Sequence, residues 1–530
     1  MNKILLLSIC VAFLGTLKAQ TSATSNSSKV GSSKSTTNST SKSSSSGSSK
    51  QGNAKIGWGE LNKNEKRLEP MEIFGDMKKG ICMIRTQGDK HTFIAKYSSN
   101  LSQTFEKELI IPTPPQAEGG KFLYNGVLYI NGKTYLQATF YNKGQESNYL
   151  LFYNINSNGQ VDSMRQIDKI ADVKKHQGGF NIVLSHDSTK MLVIHNEAFQ
   201  SNEKERLSLK VLDANLKTLW SKTIELPYLH KEFDLSDYDV DNEGNVVFIG
   251  KKSLKGSEKT SKINFDYRMI EYYWKEDNVK EYKFDLGTKR INNIYFTFDT
   301  ANNVMVAGFY NNKNNADRVD GYFYTLIDRK SETVTSKIEH DLETDFAKKY
   351  KFATKKGELT DFQMKKIYVS DNGNLNFVAE QDYIVTVCNK YGCYNIYYSN
   401  DIIVFNLKPT GQLNWVSTIP KRQLTTGYTS FIGFYYFHDK NNTYFIYNDN
   451  PTNLKTQKAT PAAFKNPNKC CIMMATIDGN GVMTKKEVPQ PDQDNHLAIN
   501  LTMGGNIGGG NYVVLGRYKN YYRIGIATAR

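Results

Sequence analysis

Short apolar runs alternate with polar turns along most of the chain, at a spacing that favours strands over helices. The runs are about four residues long, as at 246–249 and 512–515, which is too short for a stable helix. Each follows a turn rich in Asn, Asp and Gly, residues that tolerate the positive φ of tight hairpin turns. Seven such turns recur at intervals of about 55 to 70 residues: Asn131-Gly132, Asp187-Ser188, Asn242-Glu243-Gly244, Asn302-Asn303, Asp371-Asn372-Gly373, Asn441-Asn442 and Gly505-Asn506. This spacing predicts an all-β repeat array rather than a set of unrelated domains.

A second series of seven turns lies between the first: Asn100, Asn158-Gly159, Asn215, Asp277-Asn278, Asp328-Arg329, Pro409-Thr410-Gly411 and Asp478-Gly479. The runs after the first series are apolar on consecutive residues, which predicts strands covered on both faces. The strands before the second series lean towards alternation, as at 207–211, which predicts one wetter face. Each repeat therefore predicts four antiparallel strands, with inner strands sandwiched and outer strands half exposed.

This repeat resembles a blade of the β-propeller families, such as WD40, kelch and NHL proteins, over about residues 75 to 530. The chain has no Trp-Asp dipeptide and no recurring kelch-type Gly-Gly pair, so the resemblance concerns the fold and implies no active site. It implies seven four-stranded blades, with eight as the alternative, because the strands at the two chain ends can be pooled or divided. Joining the chain ends within one sheet would close the ring and remove an exposed edge.

The first 54 residues differ from the repeat region. Residues 1–19 have the features of a secretory signal peptide, with Lys3, an apolar stretch at 4–14 and a small-residue cleavage site ending at Ala19. Residues 20–54 are a Ser/Thr/Lys-rich linker that cannot bury enough apolar surface to order itself, so we expect a disordered tether. Residues 55–530 form the predicted propeller domain. We expect an exported protein of the periplasm, the outer surface or the medium.

Charge and hydropathy narrow the classes of partner. The formal net charge is +15 for the whole chain and +9 without residues 1–54, a mild bias for so long a domain. Such a bias suits anionic glycans or lipid headgroups but is far from the clustered basic face of a nucleic-acid-binding protein. No stretch of 18 uninterrupted apolar residues follows the signal peptide, so no transmembrane span is predicted. The oligomeric state is left open.

Five cysteines remain after export. Cys388 and Cys393 flank four residues between two strand-like runs, 383–387 and 394–398, so they can face each other across a hairpin. An oxidising compartment favours a disulfide between them. Cys470 and Cys471 are adjacent on a strand and point to opposite faces, so one of them can pair with Cys82 if the ring brings the two together.

Candidate sites for metals and catalysis are weak. The acidic run 237–244 has Asn242 and Phe248 where a calcium-binding EF-hand loop needs Gly and Glu, so we interpret 241–244 as a turn, with Asp237 and Asp239 on a solvated face. The eight histidines show no ligand spacing, although His186 and His195 flank one turn and could face each other. No nucleophile elbow, phosphate loop or dinucleotide fingerprint occurs. We therefore predict no cofactor, no metal site and no catalytic residue.

Two classes of function are compatible with these features. The first is an exported cell-envelope binding or scaffold protein that uses the propeller to contact a protein or glycan of the envelope. Dense Tyr and Phe at 391–398 and 428–437 would suit such contacts if exposed, and would be core residues if not. The alternative is an extracellular carbohydrate- or peptide-cleaving enzyme, which would need two carboxyl groups within about 10 Å at the central channel.

Overall fold

The computed structural model describes residues 54–529, except 65–67, 88–90, 113–120, 172–178, 198–201, 257–263, 313–316, 344–345, 347–358, 440–441, 455–459 and 492–496. The predicted signal peptide and all but the last residue of the predicted linker lie outside the described residues. The described part of the chain is built almost wholly of antiparallel strands, with three short 3-10 turns at His230–Glu232, Thr429–Phe431 and Pro451–Leu454.

Eight successive sheets, each with a four-stranded antiparallel path, account for nearly all of these strands. Two short strands, β1 (Lys55–Trp58) and β2 (Asn62–Lys63), precede them. Sheet 1 comprises β3 (Glu69–Asp76), β4 (Gly80–Gln87), β5 (His91–Tyr97) and β6 (Gln103–Glu108). Sheet 2 comprises β7 (Lys121–Ile130), β8 (Lys133–Asn142), β9 (Ser147–Ile155) and β10 (Val161–Ile170). Sheet 3 comprises β11 (Asn181–Leu184), β12 (Lys190–Asn196), β13 (Lys204–Asp213) and β14 (Thr218–Leu229).

The next three sheets follow the same plan. Sheet 4 comprises β15 (Phe233–Val240), β16 (Val246–Ser253), β17 (Phe265–Tyr273) and β18 (Asn278–Phe284). Sheet 5 comprises β19 (Arg290–Phe298), β20 (Val304–Asn311), β22 (Gly321–Asp328) and β23 (Thr333–Asp341), while β21 (Arg318–Val319) pairs with β24 (Leu359–Thr360). Sheet 6 comprises β25 (Phe362–Val369), β26 (Leu375–Asn389), β27 (Gly392–Leu407) and β28 (Leu413–Ile419), with β29 (Gln423–Thr425) added beside β27.

The last two sheets complete the series. Sheet 7 comprises β30 (Tyr435–His438), β31 (Asn442–Asp449), β32 (Cys471–Asp478) and β33 (Met483–Glu487). Sheet 8 comprises β34 (Ala498–Asn506), β35 (Asn511–Tyr518), β36 (Tyr521–Thr528) and the N-terminal strand β1, with β2 pairing beside β1 on β36.

Eight hydrophobic clusters join these sheets into a closed ring. Each cluster is shared by two consecutive sheets, and the last one joins sheet 8 back to sheet 1. Strand β16 shows why its residues are apolar in succession: Val246 and Phe248 belong to the cluster with sheet 3, and Val247 belongs to the cluster with sheet 5. A strand with a sheet on each side buries both of its faces. The fold is therefore a β-propeller, as the sequence predicted.

The chain ends meet in sheet 8, which holds the ring shut. Strand β1 pairs along β36, from Lys55 opposite Thr528 to Trp58 opposite Gly525. A Cβ atom on Gly525 would lie 2.8 Å from the Trp58 ring, so glycine is needed there for the strands to pack. Closure within one sheet confirms the expected arrangement of the chain ends.

The predicted count of seven blades is not confirmed, and the eight four-stranded sheets match the alternative. The strands near the start of the repeat region, which could be pooled with the end of the chain or divided from it, belong to a complete sheet 1 that starts at Glu69. Its first turn was missed because it is Met77-Lys78-Lys79, without Asn, and Asp76 closes it by accepting hydrogen bonds from the backbone of Lys78 and Lys79. Sheet 8 has no second turn because its fourth strand comes from the other end of the chain.

Two stretches depart from the regular repeat. In the segment 342–366, the last residues begin the innermost strand β25, and much of the rest lies outside the described residues. Phe346 is described and is buried against Phe405. In the loop 451–469, Phe464 pairs with Gln423 beside sheet 6. Within the described residues, no helix is long and apolar enough to cross a membrane.

Candidate functional site

The outer part of one hairpin extends beyond the ring. Strands β26 and β27 are the longest in the protein as described, with 15 and 16 residues. Pairing of β26 with its neighbour β25 ends at Gln381, opposite Phe362. Residues 382–399, which we call the arm, continue as a two-stranded ribbon from Asp382 opposite Ser399 to the turn at Lys390-Tyr391. The sequence predicted the two strand-like runs of the arm. It did not predict that they are continuous with strands of sheet 6.

One face of the arm is apolar or aromatic from Tyr383 to Val387. Because side chains alternate along a strand, three cross-strand pairs share this face: Tyr383 with Tyr398, Val385 with Ile396, and Val387 with Tyr394. The Tyr383 and Tyr398 rings stack with centroids 4.6 Å apart. Such pairs are the unit of stabilisation in an isolated ribbon.

The opposite face carries Ile384 beside Tyr397, then Thr386 beside Asn395, then the disulfide Cys388–Cys393 near the turn. Thr386 donates a hydrogen bond of 2.9 Å to the side chain of Asn395. The predicted disulfide is thus present, and it ties the two strands together two residues from the turn on each side. The ribbon is stiffened at its far end by a covalent bond rather than by neighbouring sheets.

Exposure sets the arm apart from the rest of the sheets. Tyr391 at the turn is 86% exposed, Ile384 57%, Tyr394 46% and Val385 39%. The aromatic group at 391–398 is therefore largely on the surface, whereas in the group at 428–437 Phe431 and Phe437 are buried. A cluster of exposed apolar and aromatic side chains is characteristic of an interaction surface.

A buried lysine anchors the base of the arm. Lys421 is 1% exposed, and its Nζ donates to Glu380 Oε1 at 2.7 Å, Gln423 Oε1 at 2.8 Å and Ser399 O at 3.0 Å. Glu380 lies where β26 leaves the ring, and Ser399 lies where β27 returns to it. Burial lowers the pKa of Lys421, and the neighbouring Glu380 carboxylate opposes that shift.

The same network reaches into the next two sheets. The backbone N–H of Lys421 donates to Asp401, a carboxyl whose pKa burial raises to about 6. The Gln423 side chain donates to the backbone of Asn448 in sheet 7, and Asn448 donates to the carbonyl of Ile499 in sheet 8. The base of the arm is therefore held in place by hydrogen bonds that extend across three sheets. Sequence reasoning missed it because Lys421 stands in a polar stretch that looks like a loop.

The first strands of the eight sheets lie around the axis of the ring. Ionisable groups in the turns that follow three of these strands influence one another. Burial lowers the pKa of His438 at the end of β30, while the charges of Asp371 and Asp439 oppose the shift and His186 reinforces it. His186 belongs to sheet 3, which is opposite sheet 7 in a ring of eight, so the turns converge at this end. Asp439 also accepts a hydrogen bond of 2.7 Å from Tyr444.

Another carboxyl on the inner strands is Glu72 of β3. It accepts hydrogen bonds from the Val127 backbone at 2.6 Å and the Tyr124 hydroxyl at 3.3 Å, both on β7 of the next sheet. Burial raises its pKa to about 7, although both hydrogen bonds oppose the shift. The bonds link the inner strands of sheets 1 and 2, so the geometry gives Glu72 a role in holding the ring.

The described contacts of the acidic run 237–244 stabilise the fold. Residues 241–244 form the predicted turn, in which Asp241 is buried and receives Arg329 Nη1 at 2.6 Å and the Asn302 amide at 3.1 Å. This ion pair joins sheets 4 and 5. Asp239, expected on a solvated face, is instead 6% exposed because its strand is covered by the neighbouring sheets.

His186 and His195, which could have faced each other across one turn, do not. The register of β11 and β12 places His195 opposite Phe180, with ring centroids 5.2 Å apart, and leaves His186 in the turn. His176 and His496 lie outside the described residues. No group of three or more His, Cys, Asp or Glu within the described ranges has the arrangement of a metal site.

The possible pairing of Cys82 with Cys470 or Cys471 is also wrong. All three are free thiols, and the whole of sheet 8 separates Cys82 in sheet 1 from the other two. Burial raises the pKa of Cys82 to about 11 and that of Cys470 to about 12, which disfavours their reactive thiolates.

Comparison with known proteins finds likeness in fold alone. No family model matches the chain, and no curated protein matches it. The propeller domain of the Trilobed protease from Pyrococcus furiosus is 9% identical, with a TM-score of 0.36 over 81% of this chain and 97% of that one. The WD40 domain of SCAP from fission yeast is 7% identical, with a TM-score of 0.39 over 90% and 94%. Puromycin hydrolase is 11% identical, with a TM-score of 0.35 over 79% of this chain and 54% of that one.

Proposed function

We propose that this chain is an exported binding or scaffold protein of the cell envelope, which contacts a protein or glycan of the envelope through the arm. The observation that carries the proposal is the exposed apolar and aromatic surface of residues 382–399, held rigid at both ends. Leaving Tyr391, Ile384 and Tyr394 in water is unfavourable unless a partner covers them. A preformed ribbon also loses little conformational entropy when it binds.

Export is supported by two features of the chain. Residues 1–19 have the layout of a signal peptide, and the exposed disulfide Cys388–Cys393 suits an oxidising compartment. The mass of the mature protein from its native host tests this directly. We expect a chain that begins at Gln20, and retention of residues 1–19 would contradict export through this segment.

Capture from envelope extracts tests the binding role, with the mature protein as bait. Val385→Ser removes an apolar contact from the arm, while Val279→Ser changes a valine of similar exposure, 46% against 39%, on an outer strand of sheet 4. We expect the captured partner to be lost with Val385→Ser and kept with Val279→Ser. Equal capture by both variants would show that the arm is not the contact.

The two chemical classes of partner are separated by treating the extract first. Protease digestion abolishes capture of a protein, whereas periodate oxidation of sugar diols abolishes capture of a glycan. Tyr391→Ala should weaken capture in either case, because an exposed aromatic side chain at the turn can stack on a sugar ring or fill a protein pocket.

A further inference from the structure

The outer edge of β26 is open along the arm. Beyond Gln381, no described strand pairs with this edge, whereas β27 is partly covered by β29 opposite residues 397–399. The close Cα–Cα distance of 4.0 Å between Cys388 and Cys393 marks a pair without mutual backbone hydrogen bonds. By alternation, the N–H and C=O groups of Ile384, Thr386 and Cys388 point away from β27. Asp382 is separated from these residues by an even number of positions, and its N–H also points away from β27, donating to Asp361 O at 2.9 Å.

This edge lacks the devices that proteins use to prevent strands from pairing with other chains. Residues 383–389 contain no proline, no glycine and no charged residue. Ile384 and Val385 are exposed, so the edge is accessible within the described part of the chain. An apolar edge without these devices is a template for another strand.

The charges at the ends of the edge point to one occupant. Asp382 stands at the base, where it also pairs with Lys365, and Lys390 stands at the turn as the only charged residue from 383 to 400. In an antiparallel pair of two such edges with Thr386 opposite Thr386, each Asp382 lies opposite the Lys390 of the other copy. The same register places Val385 opposite Val387, so the apolar faces of the two arms fall on one side.

We infer that the protein self-associates through this edge, with β26 of one copy antiparallel to β26 of a second copy about a two-fold axis at Thr386. The outward groups of Ile384, Thr386 and Cys388 then form the backbone ladder, and the two arms become one four-stranded sheet. The pairing is closed, because each copy uses the edge that the other occupies. Both faces of the sheet stay exposed, so a partner of the kind proposed above can still bind.

Disulfide trapping tests this register, with a matched control on the other strand. In the two-fold pair the Thr386 residues are direct neighbours, at a Cα separation of about 5.5 Å that a disulfide can bridge. Asn395 lies opposite Thr386 within the arm, but the two Asn395 residues would be three strand spacings apart, about 14 Å. Under mild oxidation we expect Thr386→Cys to form a covalent dimer and Asn395→Cys to remain monomeric. Dimers from both variants or from neither would overturn the inference.

Sedimentation of the unmodified mature protein provides an independent measurement. Thr386→Pro removes an N–H from the open edge without breaking the hairpin, and Asn395→Pro removes the equivalent outward N–H from the edge of β27. We expect a concentration-dependent dimer in the wild type and in Asn395→Pro, and loss of the dimer in Thr386→Pro. Lys390→Glu should weaken dimerisation on the order of tenfold, because it places two acidic residues opposite each other at both ends.

The two proposals fail separately. A wild-type protein that stays monomeric at about 100 µM, well above the range of a specific homodimer, overturns the self-association. Capture of an envelope partner by that monomer would leave the proposed function standing. The converse result is a dimer that is lost in Thr386→Pro and a partner that is captured equally well by Val385→Ser. It would support the pairing and contradict the binding role of the arm.

Discussion

Strands β26 and β27 contain the same kind of aromatic pair twice, in two different surroundings. In the ring, Phe377 stacks on Phe405 at 4.6 Å, and both are fully buried against Phe309 of sheet 5. In the arm, Tyr383 stacks on Tyr398 at the same distance with solvent beside it. Similar local pairing is thus stabilised by neighbouring sheets in the ring, and by the hairpin and the short strand β29 in the arm. The packing of the sheets stabilises the propeller, and the arm lies outside that packing with its side chains available for contacts.

The largest expected difference concerns the two aromatic pairs. Phe405→Ala should lower the free energy of unfolding by about 3–5 kcal/mol, because it empties a fully packed site between two sheets. Tyr398→Ala should cost at most about 1 kcal/mol, since it removes one cross-strand pair at a half-buried position outside the ring. Urea denaturation of both variants measures the difference. Equal losses would mean that the arm is part of the cooperative core.

The base of the arm is the next test. Lys421→Met leaves the Glu380 carboxylate buried without its nearest cation, and we expect a loss of about 3 kcal/mol. Lys365→Met removes a more exposed lysine that pairs with Asp382, and should cost at most about 1 kcal/mol. Adding Glu380→Gln to Lys421→Met should recover part of the loss, because the Glu380 charge that Lys421 neutralised is then removed as well. Denaturation midpoints of the three variants check this order, and no recovery in the double variant would show that the packing of Lys421 matters more than its charge.

The disulfide should matter for the arm more than for the ring. Replacing Cys388 and Cys393 with serine removes a short covalent loop, which by chain entropy contributes about 2 kcal/mol. Because the bond lies beyond the last contact with the ring, we expect faster amide hydrogen exchange at 383–398 and unchanged exchange in β16. Faster exchange throughout the ring would contradict the separation of the two regions.

The sequence predicted the ring better than the arm, for a physical reason. A strand between two sheets must be apolar on both faces, as Val246 and Val247 are, so the pattern itself reports the packing. Seven blades were favoured over eight because the first turn of sheet 1 contains Lys78 and Lys79 instead of Asn or Gly, and it closes through the Asp76 side chain. Local patterns also cannot say which partner a terminal strand will find, as with Lys55–Trp58 on β36.

The arm was only partly predictable. The four residues between Cys388 and Cys393 indicated the disulfide, since facing positions in a hairpin are close. The exposure of Tyr391 and the burial of Lys421 depend on where neighbouring sheets end, which no local pattern contains. Abundant tyrosine therefore had two interpretations, core and surface, and the chain uses both.

The smallest expected effect lies inside the ring and depends on pH. The pKa of Glu72 is raised from 4.5 to about 7 because the carboxyl is partly buried between the inner strands of sheets 1 and 2. Below about pH 4.5 both the folded and unfolded states bind the proton, so the full stability is present; it is lost as pH rises through about 7. Glu72→Gln keeps an acceptor for Val127 N–H without the charge, so its melting temperature should rise relative to the wild type between pH 5 and 8. The gain should reach about 1–2 kcal/mol after screening by solvent. Glu69→Gln, an exposed change on the same strand, is the control, and a similar gain there would show that the effect is not due to burial between the sheets.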